Sequence, residues 1–319
     1  MGLRQAVSGR VLAAALTLAA TVGCDAAGRV AGVRPPNNPS SGSRYPGFDI
    51  AVYPGDAALM AWRFPTSPYY WVGYYVDAPC HRDATWMGTY HTVSGMGWGT
   101  ALIYVGQQDW SQIPNEVERL RFEVLGLRFE KRASPEASFS NLRTRTSNLE
   151  PRTSNLAVTC SASLLSTAQG TAEAADAVAK AQREGFPTGS SIFLDVEFVT
   201  TVTQPLLDYV TAWTAGVLAD GRYLPAVYAA KSNAPTLYQS VLATFVAARR
   251  VDTPRFWIAS STGFSLTSNP TDVGLPYAAV WQGRFDVPES WGGIAKTIDV
   301  DVASTPSPSA ATTSTVPPP

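Results

Sequence analysis

Ser191-Ile-Phe-Leu-Asp-Val-Glu197 is an apolar run of strand length that ends in two carboxylates. Side chains alternate between the faces of a strand, so Phe193, Asp195 and Glu197 share one face while Ile192, Leu194 and Val196 share the other. The run reads as a buried strand. Two acids at its carboxyl end are costly to place there unless they are hydrated, paired or used. Chemistry on a glycosidic bond uses such a pair: one acid protonates the leaving oxygen and the other supports the developing cation.

Outward from this strand, strand-like and helix-like segments alternate. Strands are expected at 47–52, 71–76, 100–105, 191–196, 224–228, 256–259, 278–282 and 297–302, with apolar-periodic or helical stretches at 56–64, 172–184, 204–220 and 234–249. Gly185 before Pro187, and Gly221, close two of these helices. Eight short strands with helices between them predict an α/β chain folded as a (β/α)8 barrel of the TIM type, thin in its last helical layer. The active site of such a barrel lies at the carboxyl ends of the strands. That rule gathers Asp49, Tyr75, Asp77, Gln107, Asp195 and Glu197 from the first four strands onto one mouth. Tyr228, Trp281, Gln282, Asp299 and Asp301 join them from the later strands.

The flanking sequence points to export. Arg4 and Arg10 precede a short apolar run at 11–22, too short to span a bilayer comfortably and followed by polar, Pro-containing sequence. Thr21-Val22-Gly23-Cys24 resembles a lipoprotein signal-peptidase site, which implies removal of residues 1–23 and acylation of Cys24, hence a membrane anchor in a bacterial envelope. Cleavage there takes away two arginines and no acid, moving the formal charge from −1 to −3. Residues 24–45 read as a flexible tether and 305–319 as a Ser/Thr/Pro/Ala tail unable to bury enough apolar surface to fold. With the barrel at 46–304, one stretch inside it looks foreign. Arg145-Thr-Ser-Asn-Leu149 recurs as Arg152-Thr-Ser-Asn-Leu156, and Leu120-Arg-Phe-Glu123 as Leu127-Arg-Phe-Glu130, with Pro151 against a coiled coil. Residues 117–157 are expected to be a disordered, low-complexity insertion after strand three.

A hydrophobic content of 45% in 319 residues supports a large core, and nine Trp suit both packing and sugar stacking. The basic residues form no long run, so no nucleic-acid partner is expected. In an exported chain Cys80 and Cys160 are candidates for a disulfide. His81 and His91 lack a metal-ligand spacing and read as loop or surface residues; no metal or other cofactor is expected.

Gly47-Phe-Asp49, Leu194-Asp-Val-Glu197, Trp281-Gln282 and Ile298-Asp-Val-Asp301 follow one another in an order similar to that of family 25 glycoside hydrolases, the lysozyme-type muramidases. Ile103-Tyr-Val-Gly-Gln-Gln108 and Gly185-Phe-Pro187 resemble more closely a bacterial glycoside-hydrolase-like domain family, often secreted, related to those lysozymes. The resemblance spans about residues 45–304 and implies a glycan-cleaving barrel. It implies Glu197 as proton donor and Asp195 as the group that orients a 2-acetamido substituent or steadies the cationic intermediate. Asp49 and Asp299 then line the mouth. Asp301 departs from the lysozymes, which tend to carry Asn there, and an extra charge at that position would raise the pKa of a neighbouring acid.

The residues suggest the same chemistry independently. Burial would keep Glu197 protonated and able to donate, a 2-acetamido sugar could supply its own nucleophile, and Tyr75, Tyr228 and Trp281 offer stacking faces. The expected substrate is a cell-wall or envelope polysaccharide, peptidoglycan foremost. The alternative is a non-catalytic glycan-binding module on the same barrel. A deacetylase or amidase is disfavoured, since no metal or nucleophile motif is found.

Overall fold

The computed structural model describes residues 44–112 and 160–311. The expected signal peptide with Cys24, and the repeats within 117–157, lie outside the described residues.

Alternation along each strand builds the barrel from the inside out. The strands are β1 (Tyr45–Asp49), β2 (Trp71–Tyr75), β3 (Gly99–Val105), β4 (Ser191–Val196), β5 (Leu224–Ala230), β6 (Arg255–Ala259), β7 (Ala278–Trp291) and β8 (Ile294–Ala303). They close in chain order into an eight-stranded barrel. On β4 every residue is buried. The inward side chains of three strands meet in the lumen: the Trp257 ring centroid lies 5.5 Å from that of Trp71 and 5.7 Å from that of Phe193. Gly47 makes room for this layer, because a Cβ there would stand 2.1 Å from the Trp71 indole. Truncating one such fully buried ring would cost about 3–5 kcal/mol.

The outward faces pack against helices α1 (Asp56–Trp62), α2 (Tyr90–Gly95), α3 (Thr167–Glu184), α4 (Gln204–Asp220) and α5 (Ala234–Ala247). Helix α3 starts five residues before the sequence expectation because the Ser166 side chain accepts the Gln169 N–H as an N-cap. It ends at Gly185, whose φ of 86° lies in the left-handed region.

One expectation about the strands needs correction. Strands β1 to β7 run parallel, but β8 is antiparallel to both β7 and β1. The thin layer before the last strand is thin because no helix is there: Gly292 and Gly293, both at positive φ, turn β7 directly into β8. The hairpin so formed continues well past Gln282, the residue at which β7 was expected to end.

The tail also departs from expectation. Instead of lacking structure from 305 onward, its described part is hydrogen-bonded to the amino-terminal ends of β3 and β4. The Ser309 N–H donates to the Thr100 carbonyl, its carbonyl accepts from the Ser191 N–H, and its hydroxyl oxygen accepts from the Leu102 N–H. Arg255 Nη1 donates to the carbonyls of Pro308 and Ala310. Backbone groups at the barrel's lower rim therefore find partners that apolar burial alone would not provide.

Cys80 and Cys160 are joined by a disulfide, with α-carbons 4.8 Å apart and 80 residues between them in sequence. Closing a loop of that length removes unfolded-chain entropy worth about 4.5 kcal/mol on the chain-entropy model. Replacing both cysteines with Ser should lower the unfolding free energy by about 2–4 kcal/mol, read from urea unfolding of the two proteins side by side.

Candidate active site

A cavity of about 330 Å³ opens at the upper mouth of the barrel. Its acidic lining comes from four strands: Asp49 at the end of β1, Asp195 and Glu197 at the end of β4, Asp286 within β7 and Asp299 within β8. Strand register explains their meeting. Asp49 is paired with Asp299 across β1 and β8, and Asp195 lies beside Val105 on β3 and Tyr228 on β5. Because β8 enters the barrel at this end rather than leaving it, Asp299 stands at the mouth and Asp301 lies deeper, opposite Gly47 and Gln282.

Donors from neighbouring strands hold the acids in place. Tyr75 donates its hydroxyl to Asp49 at 2.6 Å, and Gln282 Nε2 donates to Asp49 at 2.9 Å and to Asp299 at 3.0 Å. The Gln282 amide is itself fixed by the Tyr228 hydroxyl, 2.6 Å from its oxygen. A bulge in β7 sets Asp286 at a φ of 53° and turns its N–H onto Asp299, 2.7 Å away. Below, Trp257 Nε1 donates to Asp301 at 3.0 Å. Gln108 ties down the end of β4, donating to the Asp195 carbonyl and accepting from the Glu197 N–H.

Among the described residues, no lysine or arginine lines this cavity. Burial and mutual repulsion therefore push Asp49, Asp195, Glu197, Asp299 and the deeper Asp301 up. Glu197, half-buried at the rim, rises to about 7 through burial and then the charge of Asp49. Asp299 rises to about 8 by burial and the Asp49 charge, and Asp49 itself to about 6, its rise from burial checked by donation from Tyr75. Asp195 and Asp301 are held well above the carboxylate range, burial being the main cause in both. At neutral pH the mouth thus contains both protonated and ionised carboxyls, the combination acid-assisted bond cleavage requires.

Three residues expected at the mouth lie elsewhere. Gln107 is fully buried and faces the helical layer, donating to Glu173 and accepting from the Ser161 N–H. Asp77 sits outside the cavity within 4.0 Å of Arg82 and 3.9 Å of Lys180. Trp281 points outward, its Nε1 donating to the Ser260 carbonyl and its ring packed edge-on against Phe264, because Gln282 beside it points in. Tyr75, Tyr228 and Gln282 do line the cavity; Asp301 lies beneath it. Sequence reasoning missed Trp257, the indole that lines the cavity, although its place on β6 was readable from the same alternation. It also missed His81, which is buried beside Tyr75 and held neutral by burial, with a pKa lowered to about 4. Among the described residues no His, Cys, Asp or Glu group is arranged to hold a metal ion.

A closed barrel with tuned carboxyls at the strand ends is the arrangement of a glycoside-hydrolase-type barrel. The chain belongs to the Rv2525c-like, glycoside hydrolase-like domain family, whose profile matches residues 60–303. Among solved structures it is similar to an uncharacterized B. stearothermophilus protein, at 15% identity over 81% of this chain and 95% of that one, with a TM-score of 0.47. The Clostridium perfringens spore cortex lytic enzyme SleM matches at 10% identity over 83% and 69% of the two chains, TM-score 0.47. The Mycobacterium tuberculosis Tat-secreted protein Rv2525c matches at 12% over 82% and 95%, TM-score 0.42. No curated protein matches the sequence.

Proposed function

We propose that the mouth hydrolyses a glycosidic bond in a cell-envelope polysaccharide, peptidoglycan being the favoured substrate. Glu197 is the general acid. It stands at the rim, where a leaving oxygen can reach it, and its pKa of about 7 leaves it about half protonated at neutrality and largely protonated below. Asp195, deeper on the same strand face and kept protonated by burial, gives up its proton to solvent as positive charge develops at the anomeric carbon and then supports that charge. Asp49 and Asp299, both held by Gln282, line the floor, and the Tyr75, Tyr228 and Trp257 rings give the cavity its apolar walls. The observation that carries the reading is the pairing of a half-buried acid near neutrality with a buried carboxyl two residues back, in a cavity that no lysine or arginine lines among the described residues.

Export through the amino-terminal signal and anchoring by acylated Cys24 belong to the same proposal, since they would bring the mouth to an envelope polymer. The test is to incubate the full chain with insoluble peptidoglycan and to follow both co-sedimentation and soluble fragments. Fragments released over time support hydrolysis. Protein that sediments with an undiminished polymer makes the barrel a binding module instead.

A further inference from the structure

Asp195 is only 7% exposed, lines the cavity, and leaves its Oδ1 without a hydrogen-bond partner among the described residues. A buried carboxyl oxygen with no donor is costly, and most such atoms in folded proteins are satisfied. The neighbouring donors are committed elsewhere: Tyr75 to Asp49, Tyr228 to Gln282, Gln282 to Asp49 and Asp299, and Trp257 to Asp301. Gln108 reaches the Asp195 backbone carbonyl rather than the carboxyl group. Around this atom stand Glu197 on the same strand, Asp49 from β1 and Asp299 from β8, with Asp286 at the rim and Asp301 below. His81, the imidazole among the lining residues, is neutral and brings no positive charge.

We propose that the mouth is a receptor for a primary ammonium group carried by its glycan ligand, seated on the unpartnered Oδ1 of Asp195 among the surrounding carboxyls. This deepens the proposed function and rests on it for the ligand being a glycan. An ammonium brings three donors and one positive charge, which supply the missing hydrogen bond and offset the repulsion among the acids. The proton balance is simple. The ammonium enters charged, the carboxyl group it meets gives up its proton to solvent, and the site gains no net charge. Two sources offer this chemistry in an envelope polymer: the free amine of a de-N-acetylated amino sugar, and the side-chain amine of a stem peptide. Uronic acids and other anionic sugars are excluded by the same field.

Binding to the full chain is measured by calorimetry at pH 7 with four probes. These are a glucosamine tetramer, its fully N-acetylated counterpart, an N-acetylated disaccharide bearing a lysine-containing peptide, and that conjugate with its lysine amine acetylated. At least one amine-bearing probe should bind 10-fold or more tightly than its acetylated partner, and which one does so identifies the source. Asp195→Asn should abolish that preference, and repeating the titration in buffers of different ionisation enthalpy should show a proton released on binding. Circular dichroism of the variant confirms that it is folded. Equal affinity for amine and acetylated forms in both pairs overturns the proposal, as does a preference that survives Asp195→Asn. Hydrolysis is scored separately. Glycan cleavage by the unaltered protein without any amine preference refutes the ammonium site alone, whereas selective binding without cleavage refutes the hydrolase and keeps the ammonium site.

Discussion

Glu197→Gln should lower turnover of a glycan substrate by about 10²–10⁴-fold while leaving KM nearly unchanged. The amide has the size of the acid and still meets the Gln108-tethered end of β4, so the mouth keeps its shape. What it loses is the one proton positioned at the rim. Before mutation, the rate should fall as pH rises through about 7, because Glu197 then ionises and cannot donate. In the Gln variant that limb of the profile should vanish along with the activity. A Glu197→Gln protein of full activity would remove Glu197 from the acid role, and with it the reason the pair on β4 was singled out.

The second large effect is on stability. Asp49, Asp195, Glu197, Asp299 and Asp301 have folded pKa values above their unfolded ones, so the folded chain binds more protons than the unfolded chain once pH exceeds the ordinary carboxyl range. Stability must therefore fall with rising pH across that interval. His81 works in the opposite sense, its folded pKa of about 4 lying below the ordinary 6.5, so it favours the fold increasingly as pH rises towards 6.5 and adds no slope beyond. The clean window thus opens above His81's range. Between about pH 6.5 and 8.5, ionisation of Glu197, Asp299 and their deeper neighbours should cost on the order of 4 kcal/mol, lowering Tm by about 10 °C. Asp220 and Asp252, whose pKa values are lowered by Arg222 and Arg250, act near pH 4 and below and leave this window untouched. Asp301→Asn removes one buried ionisable group at nearly unchanged size, so it should flatten the decline. A Tm that is level or rising over this range would contradict the reading of the mouth as a cluster of unneutralised acids.

Much of the fold was legible because buried strands and capped helices write themselves locally. Strand β4 and helix α4 have the boundaries read from sequence, the first from its unbroken apolar run and the second closed by Gly221. The sense of β8 was not legible from the alternation used to find it, because a period of two is the same read in either direction. Asp299 was therefore placed at the mouth by a rule for outgoing strands, although it arrives there on an incoming one. The Gly292-Gly293 pair between two alternating runs was the signal for a hairpin, and it was passed over. Gln107 and Gln108 show a different limit. Strand alternation stops at Val105, and beyond it only the contacts of the loop decide that Gln108 serves the mouth while Gln107 joins Glu173 and Tyr209. Trp281 and Gln282 were both assigned to the lumen although neighbours on a strand face opposite ways. Applying that parity would have chosen Gln282 and directed the search for an indole to Trp257.

Breakage of glycosidic bonds is the activity proposed for this mouth. The most direct measurement is the appearance of new reducing ends in purified peptidoglycan incubated with the full chain, Glu197→Gln and Asp195→Asn in parallel. The account predicts steady release by the unaltered protein and near-complete loss in both variants. Peptidoglycan that gains no reducing ends, or gains them equally with all three proteins, would contradict it.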